Sequence, residues 1–150
     1  MSRYFIEVSY KGTSYAGFQA QQNANTIQDE IEKALAVYFK KSFSLTGSSR
    51  TDAGVHALQN FFHFDFEFAE IPNWDNIVYH LNAILPADIV VKKVFAVGDK
   101  AHSRFDAKYR TYEYTIYAYK DPFLLDRAYF YPYKVDMDML NQAALLLKRT

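Results

Sequence analysis

The feature that most constrains this chain is a run of four alternate phenylalanines. Phe62, Phe64, Phe66 and Phe68 share one side of a period of two, and Phe61, His63, Asp65 and Glu67 share the other. Such alternation marks a strand with one packed face and one partly wet face, so that His63 and Asp65 look toward solvent or a partner. The chain must therefore supply a sheet and a layer that covers its apolar side.

That layer is legible on both sides of the strand. Thr26, with Asp29 three residues later, is an acidic form of the capping box, and Ile27, Ile31, Ala34, Leu35 and Tyr38 follow at helical spacing. Together they predict a helix over about 26–40. Asn73 caps a second helix whose stripe is Ile77, Leu81, Ile84 and Leu85 and which Pro86 stops. Further strands are predicted from the alternation of Tyr4, Ile6, Val8 and Tyr10, from Phe43 with Leu45, and from Ile89 to Val97, which is β-branched and apolar enough to be central. The order up to residue 97 is β-α-β-β-α-β, a ferredoxin-like unit of the α+β class in which helices and sheet form an α/β sandwich.

Beyond that unit the pattern begins again. Arg110 to Tyr119 reads as a long strand with Tyr112, Tyr114 and Ile116 on one face, and Tyr129 to Tyr133 as a short one. Met139, Leu140, Ala143, Ala144 and Leu147 then read as a helix capped by Asp136. These signals divide the chain into an N-terminal domain over 1–100 and the incomplete beginning of a second, similar domain over 101–150.

Composition narrows function by exclusion. Seventeen Lys and Arg against seventeen Asp and Glu leave a formal net charge of zero, so no overall field draws the chain to a polyanion. The absence of cysteine removes disulfides, thiolate nucleophiles and cysteine metal sites. His56, His63, His80 and His102 match no metal-ligand spacing, and no phosphate-loop, dinucleotide or G-x-S-x-G motif occurs. The first seven residues reach a charge too soon for a secretory segment, and no apolar run approaches the ~20 residues of a membrane span. The expectation is a soluble, cytoplasmic protein that binds neither metal nor membrane.

Candidate chemistry concentrates in the loop Thr46 to Ala57, which holds Arg50, Asp52 and His56 within seven positions. An Asp followed two residues later by Gly54 is also a common turn, with Arg50 merely screening it. A functional reading needs the carboxylate held, oriented and ionised, which Arg50 can do by pairing with it. A second concentration lies between Lys100 and Tyr119. Among its first eleven residues Lys100, Arg104, Lys108 and Arg110 face only Asp106, and Phe105, Tyr109, Tyr112, Tyr114, Tyr117 and Tyr119 are interleaved along the stretch. Cations for phosphates and rings for unstacked bases suit looped or single-stranded RNA, although alternate tyrosines also pack a strand against a helix.

Several separated motifs resemble one family. Ser49-Arg50-Thr51-Asp52-Ala53-Gly54-Val55-His56-Ala57 is similar to the signature loop of the TruA family of tRNA pseudouridine synthases. Tyr10 to Gln21, Thr26 to Asp29, His102 to Tyr112 and Asp121 to Leu147 resemble further family segments in the same order. The resemblance implies isomerisation of uridine to pseudouridine at positions 38–40 of the tRNA anticodon stem-loop, without cofactor or metal. It implies Asp52 as catalytic nucleophile or base, with Arg50 pairing with it and occupying the space of the flipped base. It implies Tyr112 as the active-site ring, Arg104, Lys108 and Arg110 as phosphate contacts, and a homodimer for the full-length enzyme. Ser49 stands where many relatives have Gly, Phe18 stands where the family has Trp, and family members are considerably longer. The alternative is a catalytically incompetent fragment that acts only as an RNA-binding or dimerisation module.

Overall fold

The structure, a computed structural model, describes residues 1–70 and 72–148. It comprises two compact units, Met1–Arg110 and Thr111–Thr150. The first unit therefore includes residues 101–110.

Within the first unit the elements are β1 (Ser2–Tyr10), α1 (Ile27–Phe39), β2 (Thr46–Gly47), β3 (Ala57–Phe66), α2 (Trp74–Ile84) and β4 (Ile89–Val97), and a 3-10 turn covers Gly12–Ser14. The sheet order is β2-β3-β1-β4 and every neighbouring pair is antiparallel. This is the arrangement of a split βαβ unit, in which each helical crossover skips one strand.

Alternation decides which side of β1 is covered. Tyr4, Ile6, Val8 and Tyr10 are buried beside Phe62 and Phe64 of β3 and Ile89, Val91 and Val94 of β4. Ile27, Ile31, Ala34 and Leu35 of α1 and Ile77 and Leu81 of α2 close the same core. Both helix starts are capped as expected: Thr26 accepts from Asp29 N–H and Asn73 accepts from Asn76 N–H. Lys40 ends α1 in the left-handed region, at φ 56°. Ile84, expected on the buried stripe of α2, is exposed instead, and Leu85 takes its place against the core.

Three strand expectations need correction. First, β4 is an edge strand that pairs with β1 alone. Its apolar richness has a local cause, because an extra residue opposite Glu7 and Val8 breaks the alternation and sends Val91 and Val94 to the same side. Second, Phe43 and Leu45 lie outside the ladder, which forms one step later at Thr46 and Gly47. Their alternation comes from core packing, with Leu45 buried and Phe43 stacked on Phe66 at 5.0 Å. Third, β3 starts at Ala57 and ends at Phe66, so Phe68 packs on Tyr4 and Trp74 from beyond the strand.

The outward face of β3 is also drier than its sequence suggests. Asp65 is exposed, but His63 is only 6% exposed because Ser103 packs over it. The Ser103 N–H donates to His63 Nδ1 at 3.3 Å, and its hydroxyl donates to the Thr46 carbonyl at 2.9 Å. Beside them Arg3 grips Asp65 with two bonds of 2.7 Å and reaches the Ala101 carbonyl at 2.9 Å.

The second unit holds β5 (Ile116–Tyr117), β6 (Tyr129–Phe130) and α3 (Met137–Leu147), with β5 and β6 parallel. The long strand expected over Arg110 to Tyr119 is thus reduced to two residues. Alternate tyrosines do not make a strand without a ladder partner, and Tyr112 and Tyr114 find none. Asp136 caps α3 through Asp138 and Met139 N–H, as expected, and none of the helix's described side chains is buried.

Candidate active site

The Asp52 loop is irregular, yet its backbone is fastened at successive points. Phe18 N–H donates to the Thr51 carbonyl at 3.0 Å, and Val55 N–H donates to the Asp52 carbonyl at 3.2 Å, closing a turn around Ala53 and Gly54. Gly12 N–H donates to His56 Nδ1 at 2.9 Å, which assigns that histidine a structural bond and leaves its ring proton on Nε2.

A second loop, after β1, lies against the first. Gly17 is at φ +104°, and a side chain there would put its first carbon 3.1 Å from the Thr51 carbonyl. Gly12 is tighter, since a Cβ there would fall 2.1 Å from the Val55 carbonyl oxygen. The same loop closes the start of α1: Gly17 and Phe18 carbonyls accept from Ile27 and Gln28 N–H at 3.2 and 3.0 Å. Phe18 is fully buried beneath both loops, stacked on Phe62 with ring centres 4.4 Å apart. The place where the resemblance puts a Trp is therefore a packing position in this chain.

Between the loops lies an open hollow of about 250 Å³, lined by Ala16, Gly17, Phe18, Gln19 and Gln21 on one side and by Arg50, Thr51, Asp52 and Ala53 on the other. The structure thus brings Arg50 and Asp52 to one rim, both exposed. The expected ion pair between them is absent: among the described residues neither side chain has an ionic or hydrogen-bonding partner. Two exposed charges two residues apart on a turn gain little from pairing in water, so nothing draws them together.

Under the loop runs a buried polar chain. Asn60, 4% exposed, accepts from the Ser48 and Ser49 hydroxyls at 2.6 and 3.1 Å and donates to Tyr10 Oη at 3.1 Å. Tyr10 Oη is in turn 2.8 Å from Thr51 Oγ1. No described buried side-chain nitrogen or oxygen lacks a partner. Asn60 and Tyr10 were missed as site residues, although one signal was available: Asn60 is a polar residue in the same alternating register as Phe62 and Phe64.

The basic residues divide. Arg110 Nη2 donates to the Ser48 carbonyl at 2.8 Å and to the Arg104 carbonyl at 3.0 Å, so that side chain is a strut behind the loop. Arg104 and Lys108 are exposed and without an ion pair among the described residues. Tyr112 belongs to the second unit and is 60% exposed. Among the described residues no three His, Asp or Glu side chains are grouped to hold a metal ion, and no helix is long and apolar enough to cross a membrane.

A clamped loop that presents an unpaired carboxylate beside a hollow, on a ferredoxin-like sheet, is the framework on which the comparisons with known proteins fall. Residues 6–106 match the model of the tRNA pseudouridine synthases, and the chain belongs to that family. It is 42% identical over 147 residues to the tRNA pseudouridine synthase A of Parabacteroides distasonis and 44% identical to that of Bacteroides fragilis, covering 98% of this chain and 58% of each relative. It is 41% identical over 146 residues to the protein of that name from Staphylococcus aureus, covering 95% of this chain and 53% of the relative. The chain thus spans little more than half the length of the curated relatives it matches.

Proposed function

We propose that this chain carries the catalytic loop of a tRNA pseudouridine synthase, an isomerase acting on uridines 38–40 of the tRNA anticodon stem-loop. The reaction balances without a cofactor. The bond from uracil N1 to C1′ breaks, the base turns, and a bond from C5 to C1′ forms. C5 loses its hydrogen as a proton and N1 gains one. A base inside the stem-loop must first be turned out of the stack to be reached.

Asp52 is the group assigned to this chemistry, as nucleophile or as base. The observation that carries the reading is the contrast between its two halves: the backbone of Thr51 and Asp52 is hydrogen-bonded into the fold, and the carboxylate has no partner among the described residues. Such a group is oriented and still free to react. Arg50, on the same rim, is assigned to fill the space of the flipped base, and Tyr112 to stack on uracil and exclude water. Arg104 and Lys108 are proposed phosphate contacts, joined by those Arg110 donors that the Ser48 and Arg104 carbonyls leave open. The reading includes a second domain begun within 101–150, a homodimer for the full-length enzyme, and action in the cytoplasm on tRNA.

Asp52→Ala is expected to abolish turnover and to leave tRNA affinity nearly intact. Turnover that survives the substitution contradicts the assignment. The exposed rings of Phe105, Tyr109, Tyr112 and Tyr114 favour a second reading, an RNA-binding or self-associating module without turnover. It predicts a salt-dependent gel shift with no product, or sedimentation as a dimer.

A further inference from the structure

The structure assigns to Asn60 the role of positioning residue for the Asp52 loop, acting through Tyr10 and Thr51. The inference rests on the assignment of Asp52 as the reacting carboxylate.

The argument is one of hydrogen-bond direction. Asn60 Oδ1 can only accept, and it takes the hydroxyl protons of Ser48 and Ser49, the two residues before Arg50. Asn60 Nδ2 can only donate, and it donates to Tyr10 Oη. Tyr10 Oη makes a second bond, 2.8 Å long, with the hydroxyl of Thr51, the residue before Asp52. One buried amide therefore holds the two residues before the Arg50-Thr51-Asp52 tripeptide and, through Tyr10, its central residue, and its two ends do different work. Thr51 is caught twice, by its hydroxyl and by its carbonyl, which accepts from Phe18 N–H. Asp52 is left with its backbone fixed and its carboxylate unengaged.

A side chain that only filled space would tolerate an isosteric change; this one should not. Asn60→Asp keeps the acceptor for Ser48 and Ser49 and removes the donor for Tyr10. The phenol then turns its proton to the new carboxylate, Thr51 keeps its bond only by donating its own hydroxyl to Tyr10, and an uncompensated charge lies beneath the loop. Thr51→Val breaks the same chain at its exposed end without burying a charge, and Thr51→Ser restores the hydroxyl.

The test has two arms on the 150-residue chain. In the first, amide hydrogen exchange is read without substrate. The Phe18 and Val55 amides are expected to exchange at least about tenfold faster in Asn60→Asp and Thr51→Val, with the amides of β1 and β3 unchanged and Thr51→Ser close to wild type. In the second, kcat on tRNA transcripts is expected to fall about 10- to 100-fold in the two disrupting variants, with KM within about twofold and recovery in Thr51→Ser. Indifferent Phe18 and Val55 amides overturn the inference, as does altered exchange with unaltered kcat in an active chain. A wild-type chain that does not turn over, with the exchange pattern as expected, upholds the positioning of the loop and favours the module without turnover.

Discussion

His63 Nδ1 and Ser103 Oγ lie 2.8 Å apart, and this contact fastens the segment after β4 to the outward face of the sheet. Arg104 and Arg110 lie on that segment, and Arg110 continues it to the Ser48 carbonyl behind the Asp52 loop. The histidine is therefore part of what holds the loop's rear in place.

That contact predicts a pH dependence. Burial, with the Arg3 charge and His102 close by, lowers the His63 pKa below its usual value, and the nearby Asp65 carboxylate opposes this only in part. The folded chain then keeps His63 neutral where the unfolded chain takes up a proton. The stabilisation is complete above about pH 6.5 and is lost as pH falls through the lowered folded value. Urea midpoints measured from about pH 8 down to about pH 5 should fall. The fall should be shallower in His63→Gln.

A second acid-dependent element is the Arg3–Asp65 fork. The hydrogen bonds from Arg3 hold the Asp65 carboxyl below its ordinary value, which places its contribution above about pH 4 and removes it as pH falls through the lowered value. The pair is partly exposed, so its contribution is modest and screened by salt. Asp65→Asn is expected to lower stability modestly at neutral pH and to flatten the acid limb, so that the two chains converge below about pH 4.

Gly12 is the point at which the two loops approach most closely. A methyl group there meets the Val55 carbonyl at 2.1 Å, and the obstacle is backbone that cannot rotate aside. Gly12→Ala should therefore displace the segment from Asp52 to His56 and cost about 1–3 kcal/mol of stability, with a loss of turnover beyond what the stability loss explains. Thermal melts paired with kinetics check it.

Phe18 supports the loops from below. Its ring is 1% exposed and stacks on Phe62 at an interplanar angle of 11°. Phe18→Ala removes that ring from a packed core and should cost about 3–5 kcal/mol, read as a shift in the urea midpoint.

Periodicity made the first unit legible, because each element faces one core. Tyr4 to Tyr10, the Thr26 and Asn73 caps and the Phe62–Phe64 face stand where their patterns put them. What escaped depends on neighbours distant in sequence. Val91 and Val94 look like a central strand because a bulge turns both inward, and bulges leave little trace in composition. Tyr112, Tyr114 and Ile116 alternate without a ladder, and a ladder is a property of two strands. In the site, the Arg50–Asp52 loop and its Gly54 turn were readable, whereas the anchoring of Thr51 through Tyr10 to Asn60 joins two strands and a loop that only folding brings together.

The most direct test of the central claim is release of tritium from tRNA transcripts labelled at uridine C5, because the new bond from C5 to C1′ must expel that hydrogen. The account predicts release by a chain extended to the full length of its relatives and none by the same chain carrying Asp52→Asn. Release that survives the substitution, or no release by the unsubstituted chain, would contradict it.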